Sequence, residues 1–297
     1  MDRQGAVGMW AVRRLLVVGM GVGMGVAVVL SALVLLAGMG VFRGGGAPVV
    51  PESAVGLAPP TLPTAARTTP FDRTPASGWA EGAAGIVAPA AAAVGEFSAI
   101  QVSAATSLVR DALVASRIDP ALVTGHDPAG YLRLLAPDAA AQLRPLFGTG
   151  REPEAQALVS MVDTASPLLP VEPRVTGSMR VEPGGPGELV VHTNYLFAYA
   201  FDSPPAVAPA PMDSVVLVRA DVDYILRVGA EWAPSSQGLW YGDVGGYGYA
   251  IACQAYRRGF LAPAHLDQSD PLSDPPHTDP GAYFDPSTPL PDKTACR

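Results

Sequence analysis

Cysteine and lysine are nearly absent from this chain: its 297 residues hold two cysteines and, beside eighteen arginines, a single lysine, Lys293. There is no Cys-x-x-Cys and no cluster of cysteine with histidine, so the residues that would build a zinc site are missing. Gly-x-Ser-x-Gly, a phosphate-binding glycine loop and a cysteine–histidine nucleophile pair are missing too, and no hydrolytic or phosphoryl chemistry is spelled out. Positive charge is scarce, with 19 basic against 27 acidic residues. Beyond residue 42 the balance is sixteen to twenty-six, a net of −10, with no basic run. That argues against nucleic acid or anionic lipid as a partner. No metal and no cofactor is implied.

What the chain does have is a long stretch without charge. Leu15 to Phe42 carries no ionisable side chain. As a helix it would rise about 42 Å, against roughly 30 Å for the hydrocarbon core of a bilayer. Arg3, Arg13 and Arg14 precede it and only Arg43 follows closely. Positive flanks stay cytoplasmic, so residues 1–14 are expected inside, 15–42 across the cell membrane as a single-pass anchor, and everything beyond outside. The rival reading is a cleaved signal peptide, whose apolar core is usually about half this length. Glycines at 19, 21, 23 and 25 give two small-xxx-small pairs that permit self-association of the membrane helix. Outside the membrane Cys253 and Cys296 are expected to form a disulfide. That bridge would be worth about 4 kcal/mol in chain entropy.

Residues 43–95 hold eight prolines among alanine, glycine and threonine and read as a disordered linker. A domain is expected over 96–263. Val102, Leu108, Val109, Ala112 and Leu113 recur at helical spacing and stop before Asp119-Pro120. A second helix is expected after the Asp127-Pro128 cap and a third over Pro153–Asp163. The period then changes to two. Strands are expected over 174–182, through Val191, Tyr195, Phe197, Tyr199 and Phe201, through Val216 to Val228, and over the glycine-rich Leu239–Cys253. Residues 264–297 read as a tail with six aspartates and no glutamate, tethered by the disulfide.

Helices first and long antiparallel strands after them make an α+β pattern: three helices packed on a bent sheet of about four strands, behind one transmembrane helix. That order resembles the cystatin-like cone of the nuclear transport factor two superfamily. Anchor, linker and cone together are similar to VirB-type inner-membrane subunits of conjugation channels. The wealth of alanine, glycine, proline, valine and arginine resembles proteins of high-GC actinobacterial genomes. The anchor and the domain beyond it lead us to expect a non-catalytic, membrane-anchored extracytoplasmic interaction module of the bacterial cell envelope; the resemblance implies, as an alternative, a subunit of a conjugation or secretion channel.

Candidate residues follow from strand parity. His192, Arg219, Asp221, Asp223 and Arg227 fall opposite the bulky apolar face, on the outer side of the sheet, where they would contact other envelope or membrane proteins. An enzyme or small-ligand binder would instead use the interior, lined by Tyr195, Tyr199 and Tyr224. Parity disfavours catalysis, since the ionisable groups point away from that interior. Trp240, Tyr241, Tyr247 and Tyr249 are expected to fill core, although they could also stack on a peptide or a sugar.

Overall fold

The computed structural model describes residues 69–204, 210–267, 280–290 and Cys296. All of these fall in the compact unit Leu62–Arg297. The apolar run 15–42 lies outside the described residues. Among the described residues no helix is long and apolar enough to cross a membrane.

Five antiparallel strands pair in chain order: β1 (Ala80–Glu81), β2 (Arg174–Pro183), β3 (Glu188–Ala200), β4 (Val215–Arg227) and β5 (Gly238–Tyr249). The β2–β3 turn closes where Gly184 N–H donates to the Glu188 carbonyl at 3.0 Å. Gly187 sits there at φ 69°, a left-handed conformation that glycine takes without steric cost. Between β3 and β4 the register sets Val191 opposite Tyr224 and His192 opposite Asp223. A register shift between Val222 and Tyr224 marks a bulge against β5. Alternation then decides the faces. Val191, Tyr195, Phe197, Tyr199 and Phe201 join Val216, Val218, Ala220, Val222 and Tyr224 in the main core.

That core is roofed by one long helix, α1 (Ala99–Arg117), and a series of short turns. Ser98 caps α1, its hydroxyl accepting from the Gln101 N–H while Gln101 Oε1 accepts from the Ser98 N–H at 2.9 Å. This reciprocal pairing satisfies donors that the first turn leaves free. Val102, Val109, Ala112 and Leu113 form the buried stripe.

The expected α+β cone of three helices on about four strands is overturned. Among the described residues the sheet has five strands, and only α1 is a helix of ordinary length. The expected second helix is the single turn Ala129–Leu132, and the third is Glu152–Ala155. Proline is the cause. Pro120, Pro128, Pro137, Pro145 and Pro153 recur every eight or nine residues. Each starts a turn well enough, but lacks the N–H and clashes with the helix that would arrive from before it. The longest piece between them, α2 (Pro137–Leu143), has seven residues. The fifth strand, β1, comes from the segment expected to be linker. It lies between two short 3-10 turns, Pro75–Gly78 and Gly82–Gly85, and pairs Ala80 with Val175.

The outer sheet face also departs from expectation. Over half its length it is a second core rather than a polar surface. Leu196, Ala198 and Ala200 of β3 and Val215 and Leu217 of β4 are buried there under Phe71, Ala76 and Tyr283. The covering residues come from both sides of the domain sequence, 69–79 and 280–290.

Candidate functional site

The five outward residues expected to share one contact surface occupy three different environments. His192 and Asp223 remain together on the open half of the face. His192 Nδ1 is hydrogen-bonded to Asp223 Oδ1, and its Nε2 lies 2.5 Å from Glu182 Oε1 on β2. Arg180 continues the row with Nη1 2.6 Å from Glu182 Oε2. The hydrogen bond from His192 holds the Glu182 carboxyl below its ordinary range, with Arg180 acting in the same sense. A carboxylate oxygen thus stands beside each ring nitrogen of His192. The row is an ordered line of ionisable side chains on the sheet surface.

Arg219 is not available to a partner. Its side chain is 4% exposed. Nη2 donates to the Pro286 carbonyl at 2.8 Å, Nη1 to the Thr288 carbonyl, and Nε to Asn194 Oδ1 at 3.0 Å. Asn194 Nδ2 also donates to the Pro286 carbonyl, at 2.8 Å. These two side chains, from adjacent strands, read the backbone of the C-terminal segment. Tyr247 and Tyr249 do the rest. Tyr249 stacks on Tyr283 with centroids 4.2 Å apart, and the Tyr247 hydroxyl donates to the Tyr283 carbonyl at 2.7 Å. The two tyrosines do stack on a peptide, and the peptide is the chain's own tail. Asp221 lies 3.6 Å from Arg219, and partial burial lifts its carboxyl above the ordinary value against the pull of that arginine.

Arg227 has a third setting. Its guanidinium lies 4.1 Å from the centroid of Trp232 and 4.5 Å from that of Trp240, while Nε donates to Glu188 Oε1 at 3.0 Å. The planar cation between two indoles fastens the β4–β5 loop to the sheet. Trp240 thus packs around a charge as well as on the core.

Tyr195, Tyr199 and Tyr224 do face inward, each at most 1% exposed. They fill the interior rather than line an open one. Sequence reasoning missed what lies among them. Arg117, the last residue of α1, is fully buried, and its charge faces no carboxylate among the described residues. Desolvation draws the guanidinium below its ordinary value. Nη1 donates to Ser160 Oγ at 3.1 Å and weakly to the Gln156 carbonyl at 3.4 Å, and Nη2 donates to the Ala157 carbonyl at 2.5 Å. Nε has no partner. The Tyr199 hydroxyl donates to the Arg117 carbonyl at 2.8 Å and lies 2.9 Å from Ser160 Oγ. A partly open cavity of about 130 Å³ borders this arginine, between residues 153–161 and the glycine-rich end of β5. An arginine at the end of a helix is ordinary in sequence, so nothing distinguished Arg117 there.

Cys253 and Cys296 are joined, with Cα atoms 5.1 Å apart. No group of three or more acidic, histidine or cysteine side chains among the described residues could hold a metal ion. In comparisons with known proteins, no family model, no curated protein and no solved structure matches the chain.

Proposed function

We propose that this chain is a membrane-tethered, non-catalytic interaction module of a bacterial cell envelope, with the ordered domain outside the membrane and the row Arg180–Glu182–His192–Asp223 as its contact surface. The observation that carries this reading is the way charge is divided across the sheet. The inward face is packed with apolar and tyrosine side chains, whereas the open half of the outward face carries an ordered line of ionisable groups. Arg180 and Glu182 keep 68% and 45% of their side-chain surface exposed, enough to meet a partner. The anchor and its orientation rest on the apolar length of residues 15–42 and on the arginines before it.

Relative to the sequence reading, the surface has shifted. Arg219 and Arg227 leave it, because one is covered by the tail and the other is held between indoles. Arg180 and Glu182 enter it. A row carrying charges of both signs steers a partner of complementary pattern and repels wrong ones.

A photo-crosslinking amino acid placed at Arg180 in the full-length protein, expressed in an actinobacterial host, tests this. The expected result is a discrete adduct with a membrane or envelope protein, absent when the probe replaces exposed Asp111 on α1. The adduct should be lost on adding Glu182→Lys. Equal adducts from both positions, or none from Arg180, would overturn the assignment of this surface.

A further inference from the structure

The cavity beside Arg117 carries a second inference, independent of the contact surface, so that either can fail alone. A guanidinium has five N–H donors and a permanent charge. Arg117 uses three donors, all on neutral oxygens, and its Nε–H has no partner. Removing an ion from water costs several kcal/mol unless an opposite charge or a full set of hydrogen bonds replaces the solvent. Here the ionisable neighbours are Tyr199, Tyr224 and Tyr131, none of which is an anion at neutral pH. The charge is therefore buried among neutral acceptors with no counter-charge, in the wall of an accessible space.

That space has a definite chemistry. No aspartate or glutamate lines it, and a second arginine, Arg219, stands in its wall with Arg117. Val159, Met161, Val218 and Leu261 provide apolar wall, and Tyr256 adds a half-buried ring. Its size, about 130 Å³, is close to the roughly 150 Å³ cavity that accepts a benzene ring. Inorganic anions would meet the charge but leave the apolar wall unused.

We infer that this cavity is a binding site for a small organic monocarboxylate with an apolar body, held by a charge-assisted hydrogen bond to Arg117. The carboxylate would pair with the Arg117 guanidinium in the cavity wall while its apolar part displaces water from the aliphatic wall. Such a bond is about twice as strong as one between neutral groups. Arg219 has Asp221 at 3.6 Å and Arg117 has no carboxylate beside it, so one negative charge is matched and acids are selected over their amides.

Titration calorimetry of the full-length protein in a non-ionic detergent, at constant ionic strength, uses sodium benzoate against benzamide. Benzoate is expected to bind at least tenfold more tightly than benzamide. It should also shift the ¹⁵N–¹H resonance of Arg117 Nε, assigned by its disappearance in Arg117→Lys. Arg117→Met should abolish the preference for the acid. Ala157→Phe, which sets a ring into the cavity from its wall and retains Arg117, should abolish binding altogether. If Arg117→Met does not fold, the Nε resonance and the Ala157→Phe variant decide. Equal binding of acid and amide, undiminished binding in Ala157→Phe, or no response at 20 mM benzoate would each overturn the site.

Discussion

Tyr199 places a phenol where solvent cannot reach it, and that makes it a reporter of the core. Burial pushes its pKa up to about 12, with Arg117 and Ser160 pulling the other way. Burial raises Tyr131 and Tyr224 as well. A group that stays protonated longer when folded contributes stability that is complete below its unfolded pKa, near 10, and is lost as pH climbs toward 12. For Tyr199 alone the loss is about 2–3 kcal/mol across that window. Urea midpoints measured from pH 8 to 12 should therefore fall above pH 10. Tyr199→Phe should flatten part of the fall, while costing about 1–3 kcal/mol at neutral pH through the unsatisfied Arg117 carbonyl. A midpoint that stays level to pH 12 would contradict this placement. Period-two parity did locate Tyr199, Tyr195 and Tyr224 inward from sequence. It also put Arg219 outward, correctly. What parity cannot give is what lies on top of an outward residue, and that is why Arg219 read as exposed when it is sealed beneath Pro286 and Thr288.

Strands were legible here and helices were not, for one reason: alternation survives an irregular neighbour, whereas a helix needs an unbroken run. The two inner strands β3 and β4 have thirteen residues each, with the aromatic and valine residues of the main core on one parity, and both were readable in the sequence. Between residues 120 and 157 the apolar spacing is helical, but proline resets the backbone every second turn. Spacing alone over-read those turns as helices. β1 was illegible for the opposite reason, since two residues carry no period. Within β2, Gly177 shows what a strand can hide. It has φ 151°, and a Cβ there would meet the Asn194 carbonyl at 2.2 Å and the Tyr195 ring at 2.6 Å. No flexible tip stands in the way; the obstacle is the neighbouring backbone and a fully buried ring. Gly177→Ala is expected to destabilise the domain by about 2–3 kcal/mol, a core overpacking effect. Thermal unfolding of the variant beside Ser178→Ala, an exposed neighbour expected to cost under about 0.5 kcal/mol, checks it. Comparable losses at the two positions would mean that Tyr195 does not pack against the Gly177 backbone.

Considered whole, the domain is closed by its own ends. Phe71 and Trp79 arrive from the N-terminal side and Tyr283 and Phe284 from the C-terminal side, and they meet over the same half of the sheet. Trp79 and Phe284 rings lie 6.0 Å apart, which brings segments some two hundred residues apart in sequence together. The disulfide was expected from compartment alone, but the course of the tail was not, because Tyr283 and Phe284 stand in a proline- and aspartate-rich stretch that reads as solvated. Three devices hold the tail: the covalent link at Cys296, the reading of its carbonyls by Arg219 and Asn194, and the aromatic stack on Tyr283. They differ in kind. The hydrogen bonds act only while the segment is seated, each worth about 1–3 kcal/mol at a charged donor. The disulfide keeps the segment near after it lifts, and is worth about 4 kcal/mol for a loop of this size. Breaking the link should therefore loosen the tail before it unfolds the sheet. Chymotrypsin tests this on the full-length protein, since Tyr283 is 4% exposed and its backbone is engaged by Tyr247. Cleavage after Tyr283 or Phe284 should quicken at least tenfold in Cys296→Ser, and further when Arg219→Ala is added, while the circular dichroism of the sheet changes little. If Cys296→Ser is cut no faster than the oxidised protein, the aromatic stack and Arg219 hold the tail by themselves and the disulfide is not its latch.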